Sequence, residues 1–195
     1  MARSAAVYRK TKETDIRIEL TIEGTGASSV STGIGFFDHM LTLFARHGFF
    51  DLKVTCTGDT GVDFHHSVED VGIALGQAFA EAVGNKQGIA RYGFAFVPME
   101  YALARAVVDF SGGIALSCNV PVNVQKVGEF DTELVQEFFK SFADNAKINL
   151  HIDLLKSSNA HHDIEAVFKA VARAVSDACR FDDRVKGALS TKGTL

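Results

Sequence analysis

His65-His66-Ser67-Val68-Glu69 and His161-His162-Asp163-Ile164-Glu165 spell the same pattern, HHxxE, twice in one chain of 195 residues, 96 positions apart. The apolar residues that follow repeat as well. Val68, Val71, Leu75 and Phe79 correspond to Ile164, Val167, Val171 and Val175, and both sets recur at the three-to-four-residue spacing of a helix with one buried face. The spacing predicts amphipathic helices over 66–84 and 162–179, each opened by its histidine pair.

The likeness extends upstream. DHMLTLFARHGFFDLKV (38–54) aligns with QEFFKSFADNAKINLHI (136–152) at an offset of 98, so the loop before the second histidine pair is two residues shorter. Phe44-Ala45 falls on Phe142-Ala143, and Leu52-x-Val54 on Leu150-x-Ile152. Each half therefore reads helix, strand, loop, helix. Strands come before each unit: Ile16, Ile18, Leu20 and Ile22 alternate as a half-buried strand does. Tyr92–Pro98, Leu103–Asp109 and Ile114–Val120 are the strand candidates of the second half. Gly24-Thr25-Gly26 and Ser111-Gly112-Gly113 supply turns. The expected fold is α+β, an internal duplication of two similar sheet-and-helix halves, 1–86 and 87–195, packed as one compact body.

Residues four apart share a helix face, whereas neighbours diverge by about 100°. His65 and Glu69 can thus serve one cation, and so can His161 and Glu165. His66 and His162 then face elsewhere, toward a second cation. The repeat also sets His39 on Glu137, two metal-competent residues in the first turns of equivalent helices. The candidate ligands are His39, His65, His66, Glu69, Glu137, His161, His162 and Glu165, four for each of two ions. An octahedral ion would keep two positions for water or substrate, and nitrogen with carboxylate donors suits Mn²⁺ or Fe²⁺, with Zn²⁺ an alternative. His151, mid-strand where the first half has Lys53, reads as a buried or packing residue.

Composition removes other classes. With 47% hydrophobic and 23% charged residues the chain is globular. Its three cysteines are far apart and form no CxxC, which excludes a cysteine zinc site and suits a reducing cytosol. The N-terminal MARSAAVYRKTKETD lacks the apolar core of a secretion signal, and no run is long enough to span a bilayer. A net charge of −4 without a basic stripe argues against a nucleic-acid partner. The expected setting is the cytoplasm.

Five stretches, TGIGFFDHML (32–41), HHSVED (65–70), VGEFDTEL (127–134), NAHHDIEAVFKAVARA (159–174) and STKG (190–193), closely resemble imidazoleglycerol-phosphate dehydratases. The resemblance runs from about Arg9 to the C-terminus. It implies a duplicated α+β fold, a homo-oligomer of 24 subunits, and interfacial active sites with two Mn²⁺ ions held by the ligands named above. It implies dehydration of a small phosphorylated imidazole substrate in histidine biosynthesis. The proton to be removed has no carbonyl beside it, so the imidazole must accept electron density through a diazafulvene-like intermediate, and two cations on its nitrogens would favour that. The resemblance makes Glu165 the base as well as a ligand, and Glu13 an acid near the substrate hydroxyls. It places His47, Arg91, Ser190 and the C-terminal Lys192 on the phosphate, with Glu13 and Glu100 also binding substrate.

Departures from the family pattern leave the set of candidate ligands complete. The family reads SGR where this chain has Ser111-Gly112-Gly113, so a phosphate-binding arginine is absent at Gly113. One charge-assisted contact of that kind stabilises binding by about 1.5–3 kcal/mol, and Arg105 and Lys126 are the candidate replacements. Tyr101 takes a carboxylate's place, Leu43 replaces a polar residue of some relatives, and Glu137 stands where many relatives carry histidine. Two other readings compete: a metal-dependent hydrolase using the same ions, and a metal-held assembly without turnover.

Overall fold

Alternation decides the sheets. Ile16, Ile18 and Leu20 are at most 2% exposed, while Arg17 and Glu19 between them face solvent. The computed structural model describes residues 2–193. Its first sheet contains β1 (Ser4–Lys10), β2 (Thr14–Thr21), β3 (Ser28–Ser31) and β4 (Asp51–Gly58), in the order β1-β2-β4-β3. The second contains β5 (Tyr92–Met99), β6 (Ala102–Asp109), β7 (Ala115–Asn119) and β10 (Asn149–Lys156), in the order β5-β6-β10-β7. Both sheets have the same plan: two antiparallel pairings, then a parallel edge strand, β3 on β4 and β7 on β10. A short hairpin, β8 (Lys126–Val127) and β9 (Phe130–Asp131), is the second half's addition.

Four helices cover the inner faces: α1 (Gly35–Gly48), α2 (His65–Val83), α3 (Leu134–Ala146) and α4 (Ala160–Cys179). The two HHxxE helices begin within two residues of the expected positions. α2 lies on β1 and β2, and α4 on β5 and β6. The halves meet through crossed helix partners, α2 against α3 and α1 against α4. Phenylalanines fill that seam. Phe79 and Phe142 lie 5.5 Å apart edge to face, and Phe37 and Phe138 5.3 Å, a preferred geometry for aromatic pairs. Burying one such side chain is worth roughly 1.5–3 kcal/mol. The α2–α3 backbones approach so closely that a β-carbon at Gly76 would lie 2.6 Å from the Phe142 carbonyl oxygen. Glycine is thus required there by contact.

One expectation fails here. His151 is exposed, because β10 turns Leu150 and Ile152 into the core and leaves His151 on the outer face beside Val107 and Ser117. That face differs from its counterpart. In the first half it carries Arg17, Glu19, Lys53 and Thr55, with Lys53 paired to Glu19 at 3.1 Å. In the second it carries exposed Tyr92, Phe94, Phe96 and Val107.

Candidate metal and phosphate site

Each histidine-bearing helix start is fixed by a polar side chain. In α4, Asn159 is the cap: its Oδ1 accepts from the backbone N–H of His161 at 2.9 Å and of His162 at 3.4 Å. Asp163 adds bonds from Ser157 Oγ at 2.7 Å and the Ser158 N–H at 2.9 Å. In α2, Asp63 accepts from the His65 N–H at 2.8 Å. In α1, Asp38 accepts from Thr32 N at 2.8 Å, which sets His39 one residue further on. The bonds to Asn159 and Asp63 satisfy N–H groups that the first turn leaves open.

The crossed helix packing then gathers ligands from both halves. His39 of α1 and His161 and Glu165 of α4 place their donor atoms within 4.8 Å of one another. Glu165 Oε2 is 3.5 Å from His39 Nε2 and 3.4 Å from His161 Nε2. In the first half His65 Nε2 lies 3.7 Å from Glu69 Oε2. The adjacent histidines diverge as expected: the rings of His65 and His66 are inclined at 85°, and those of His161 and His162 at 79°. His66 Nδ1 bonds Asp59 Oδ2 at 3.0 Å, and His162 Nδ1 stands 3.6 Å from Glu100 Oε2. Glu137 is half-buried in the first turn of α3, the helix packed on α2, and makes no ion pair among the described residues. Two imidazoles and one carboxylate converging on a point form a donor set that fits a borderline or hard divalent cation. The residues suit the ion that the resemblance implies.

Lys169 escaped the sequence reading. One turn after Glu165, its Nζ sits 2.5 Å from Glu165 Oε1, so the carboxylate shows Oε2 to the histidines and Oε1 to an ammonium. Burial alone would push the Glu165 carboxyl up, but Lys169, helped by His39 and His161, holds it below the usual carboxylate range. His47, in the last turn of α1, is held below the usual histidine value by burial and by the charges of Lys169 and Arg173. Glu13 is exposed at the tip of the β1–β2 hairpin, and its carbonyl accepts the Asp59 N–H at 3.1 Å. The hydrogen bond to Asp59, with Glu13 contributing through its charge, raises the pKa of His66.

A separate cavity of 940 Å³ opens along the C-terminal segment, with Arg91, Ser111, Arg184, Lys186, Ser190 and Lys192 in its wall. Three of the expected phosphate contacts, Arg91, Ser190 and Lys192, therefore meet there, while His47 and Glu100 do not line it. Arg91 belongs to the wall itself: its Nε and Nη2 bond Asp109 at 2.7 and 3.1 Å, and its Nη1 bonds the Leu189 carbonyl at 2.6 Å. The expected replacements for the missing arginine are elsewhere. Arg105 pairs with Asp153 on the outer sheet face at 2.7 Å, and Lys126 with Asp131 at 2.8 Å. The extra cations at the cavity are Arg184, bound to Asp182, and Lys186, which has no ion-pair partner among the described residues.

Known proteins match both the sequence and the fold. The family model for imidazoleglycerol-phosphate dehydratase matches residues 32–175. The imidazoleglycerol-phosphate dehydratase of Thermoanaerobacter pseudethanolicus is 56% identical over 193 residues, 99% of this chain and 100% of that relative. The one from Pelobacter propionicus is 56% identical over 195 residues, covering 100% of both. Among solved structures, the Staphylococcus aureus dehydratase superposes with a TM-score of 0.83 at 41% identity, over 92% of this chain and 99% of that one. The Pyrococcus furiosus enzyme, solved in complex with (S)-C348, gives 0.84 at 35% identity over 97% and 100%.

Proposed function

Because the chain belongs to the imidazoleglycerol-phosphate dehydratase family, a hydro-lyase family of histidine biosynthesis, we propose that it removes water from D-erythro-imidazoleglycerol phosphate to give imidazole-acetol phosphate, using two Mn²⁺ ions per active site. The observation that carries this reading is the His39–His161–Glu165 cluster, assembled from helices of both halves with donor atoms within 4.8 Å. Bound there and at the His65–Glu69 pair, the cations would lower the energy of negative charge developing on the substrate imidazole.

The protein's own groups account for the rest. The proton leaves the carbon that becomes the ketone, and Glu165 takes it. Lys169 keeps that carboxylate ionised, and so ready to accept a proton. Glu13, on the hairpin against His66, supplies a proton to the hydroxyl leaving the ring-bearing carbon. One proton is taken, and water departs. The enol so formed tautomerises to the ketone. Ser190, Lys192 and Lys186 hold the phosphate, with Arg91 fixing the wall behind them. Lys186 supplies the cation that Gly113 does not, because Arg184 is already taken by Asp182.

His66 and His162 face away from the clusters formed by their neighbours. A complete site therefore draws them from another copy of the chain, which supports a homo-oligomer with interfacial sites, a 24-mer as the resemblance implies. The exposed aromatic face of the second sheet provides apolar area for such contacts. No helix among the described residues is long and apolar enough to cross a membrane, in keeping with a cytoplasmic biosynthetic enzyme. The test is a product assay on protein stripped with chelator and reloaded with Mn²⁺. Turnover of imidazoleglycerol phosphate that returns with the metal supports the lyase. Release of inorganic phosphate without the ketone would favour the hydrolase, and silence with metal bound would favour a catalytically inert assembly.

A further inference from the structure

The second histidines of the two pairs stand in unlike surroundings. His162 Nδ1 is buried without a hydrogen-bond partner among the described residues, and Glu100 at 3.6 Å is beyond bonding distance. His66 Nδ1 is bonded to Asp59 at 3.0 Å. Asp59 is itself tied down: its N–H bonds the Glu13 carbonyl at 3.1 Å, and its carbonyl accepts the Val62 N–H at 2.8 Å. The other carboxylate oxygen, Oδ1, is buried with no partner among the described residues.

We propose that Asp59 is a positioning residue for metal binding: it holds the His66 ring with Nδ1–H toward its carboxylate and Nε2 free for a cation, so the ion that uses His66 binds more tightly than the ion that uses His162. A carboxylate behind a ligating imidazole fixes its tautomer and orientation and increases its donor strength, and losing that partner weakens metal binding 10–100-fold in comparable sites. The duplication itself supplies the control. The loop before the second histidine pair is two residues shorter, and among the described residues no carboxylate lies within bonding distance of His162. The inference rests on the two-cation reading of the site and assigns unequal affinities within it.

The experiment is a calorimetric titration of metal-free full-length protein with Mn²⁺ alone, paired with Mn²⁺ electron paramagnetic resonance to count free ion. Wild-type protein is expected to show two classes of site per chain. Asp59→Ala moves the tighter class 10–100-fold weaker and leaves the other within a factor of two or so. Asp59→Asn, whose amide oxygen can still accept from Nδ1–H, recovers part of the loss. Far-UV circular dichroism confirms that both variants fold, and Asp59→Asn alone decides if Asp59→Ala does not. Two equal classes in the wild type, an unchanged isotherm in the variants, or equal weakening of both classes would overturn the assignment to His66. Wild-type protein that binds no Mn²⁺ would instead overturn the two-cation reading itself.

Discussion

The two halves share one plan and differ, besides the added β8–β9 hairpin and the loop and partner at the second histidine pair, in three places. Each gives a four-stranded sheet in the same order, two helices, and a histidine–glutamate pair one helical turn apart. The differences begin just beyond that pair. At the position of Lys169 the first half has Ile73, so Glu69 lacks an ammonium one turn on, and its side chain is 38% exposed against 9% for Glu165. The outer sheet faces differ: the second carries exposed Phe94 and Phe96 beside its Arg105–Asp153 pair, where the first has Tyr8 among charged side chains. The C-terminal cavity belongs to the second half alone. What both copies keep is the histidine–glutamate spacing, and what they alter is the charge beside it, the outer face and the C-terminal cavity. Duplication thus accounts for the two histidine–glutamate pairs, and divergence for the ammonium beside only one of them.

The comparison breaks most easily at the two glutamates. Glu165→Gln is expected to lower kcat at saturating Mn²⁺ by about 10²–10⁴ beyond Glu69→Gln, because it removes a general base as well as a ligand. Steady-state kinetics on both variants check this, and equal losses would make the halves chemically equivalent. The outer faces come next. Phe94→Glu is expected to reduce the proposed homo-oligomer to smaller species in light scattering, whereas Thr55→Glu on the first half's face leaves its mass unchanged. Equal behaviour would remove the aromatic face from the interface.

A smaller effect is expected at the cavity. Lys186→Ala should raise KM about 10-fold with little change in kcat, the loss of one charge-assisted contact. Gly113→Arg should lower KM by a similar factor, since a β-carbon there would sit 3.4 Å from Ser111 Oγ and 3.6 Å from Asn149 Oδ1, ordinary contact distances. An unchanged KM in both would place the phosphate elsewhere. The smallest signal is thiol reactivity. Burial pushes Cys56 and Cys118 up to about 11 and Cys179 to about 12. At pH 8 only about 10⁻³ or less of each is thiolate. A thiol reagent should therefore label the folded protein slowly in both halves, and fast labelling of one cysteine would expose a local opening.

The HHxxE repeat made the long helices legible because periodicity and motif agreed. The apolar alternation of Ile16 to Leu20 did the same for β2. β1 and β3 were not legible: SAAVYRK and SSVS have too little apolar alternation, and only pairing with β2 and β4 makes them strands. The candidate ligands could be read because chelation needs particular side chains at particular spacings. Lys169 had a local signal, a basic residue four after a glutamate on one helix, and reading past the motif would have found it. Asp59 had none, for a loop carboxylate seven residues before His66 meets it only through the fold. Lys186 was hidden for a similar reason, because the C-terminal segment is brought over Arg91 by tertiary contacts.

The most direct test of the central claim is anomalous diffraction at the manganese edge from crystals of the protein loaded with Mn²⁺. The account predicts two peaks per chain. One lies at His39, His161 and Glu165, the other at His65 and Glu69, and each is completed by a histidine from another copy. A single peak, or peaks remote from both histidine–glutamate pairs, would contradict it.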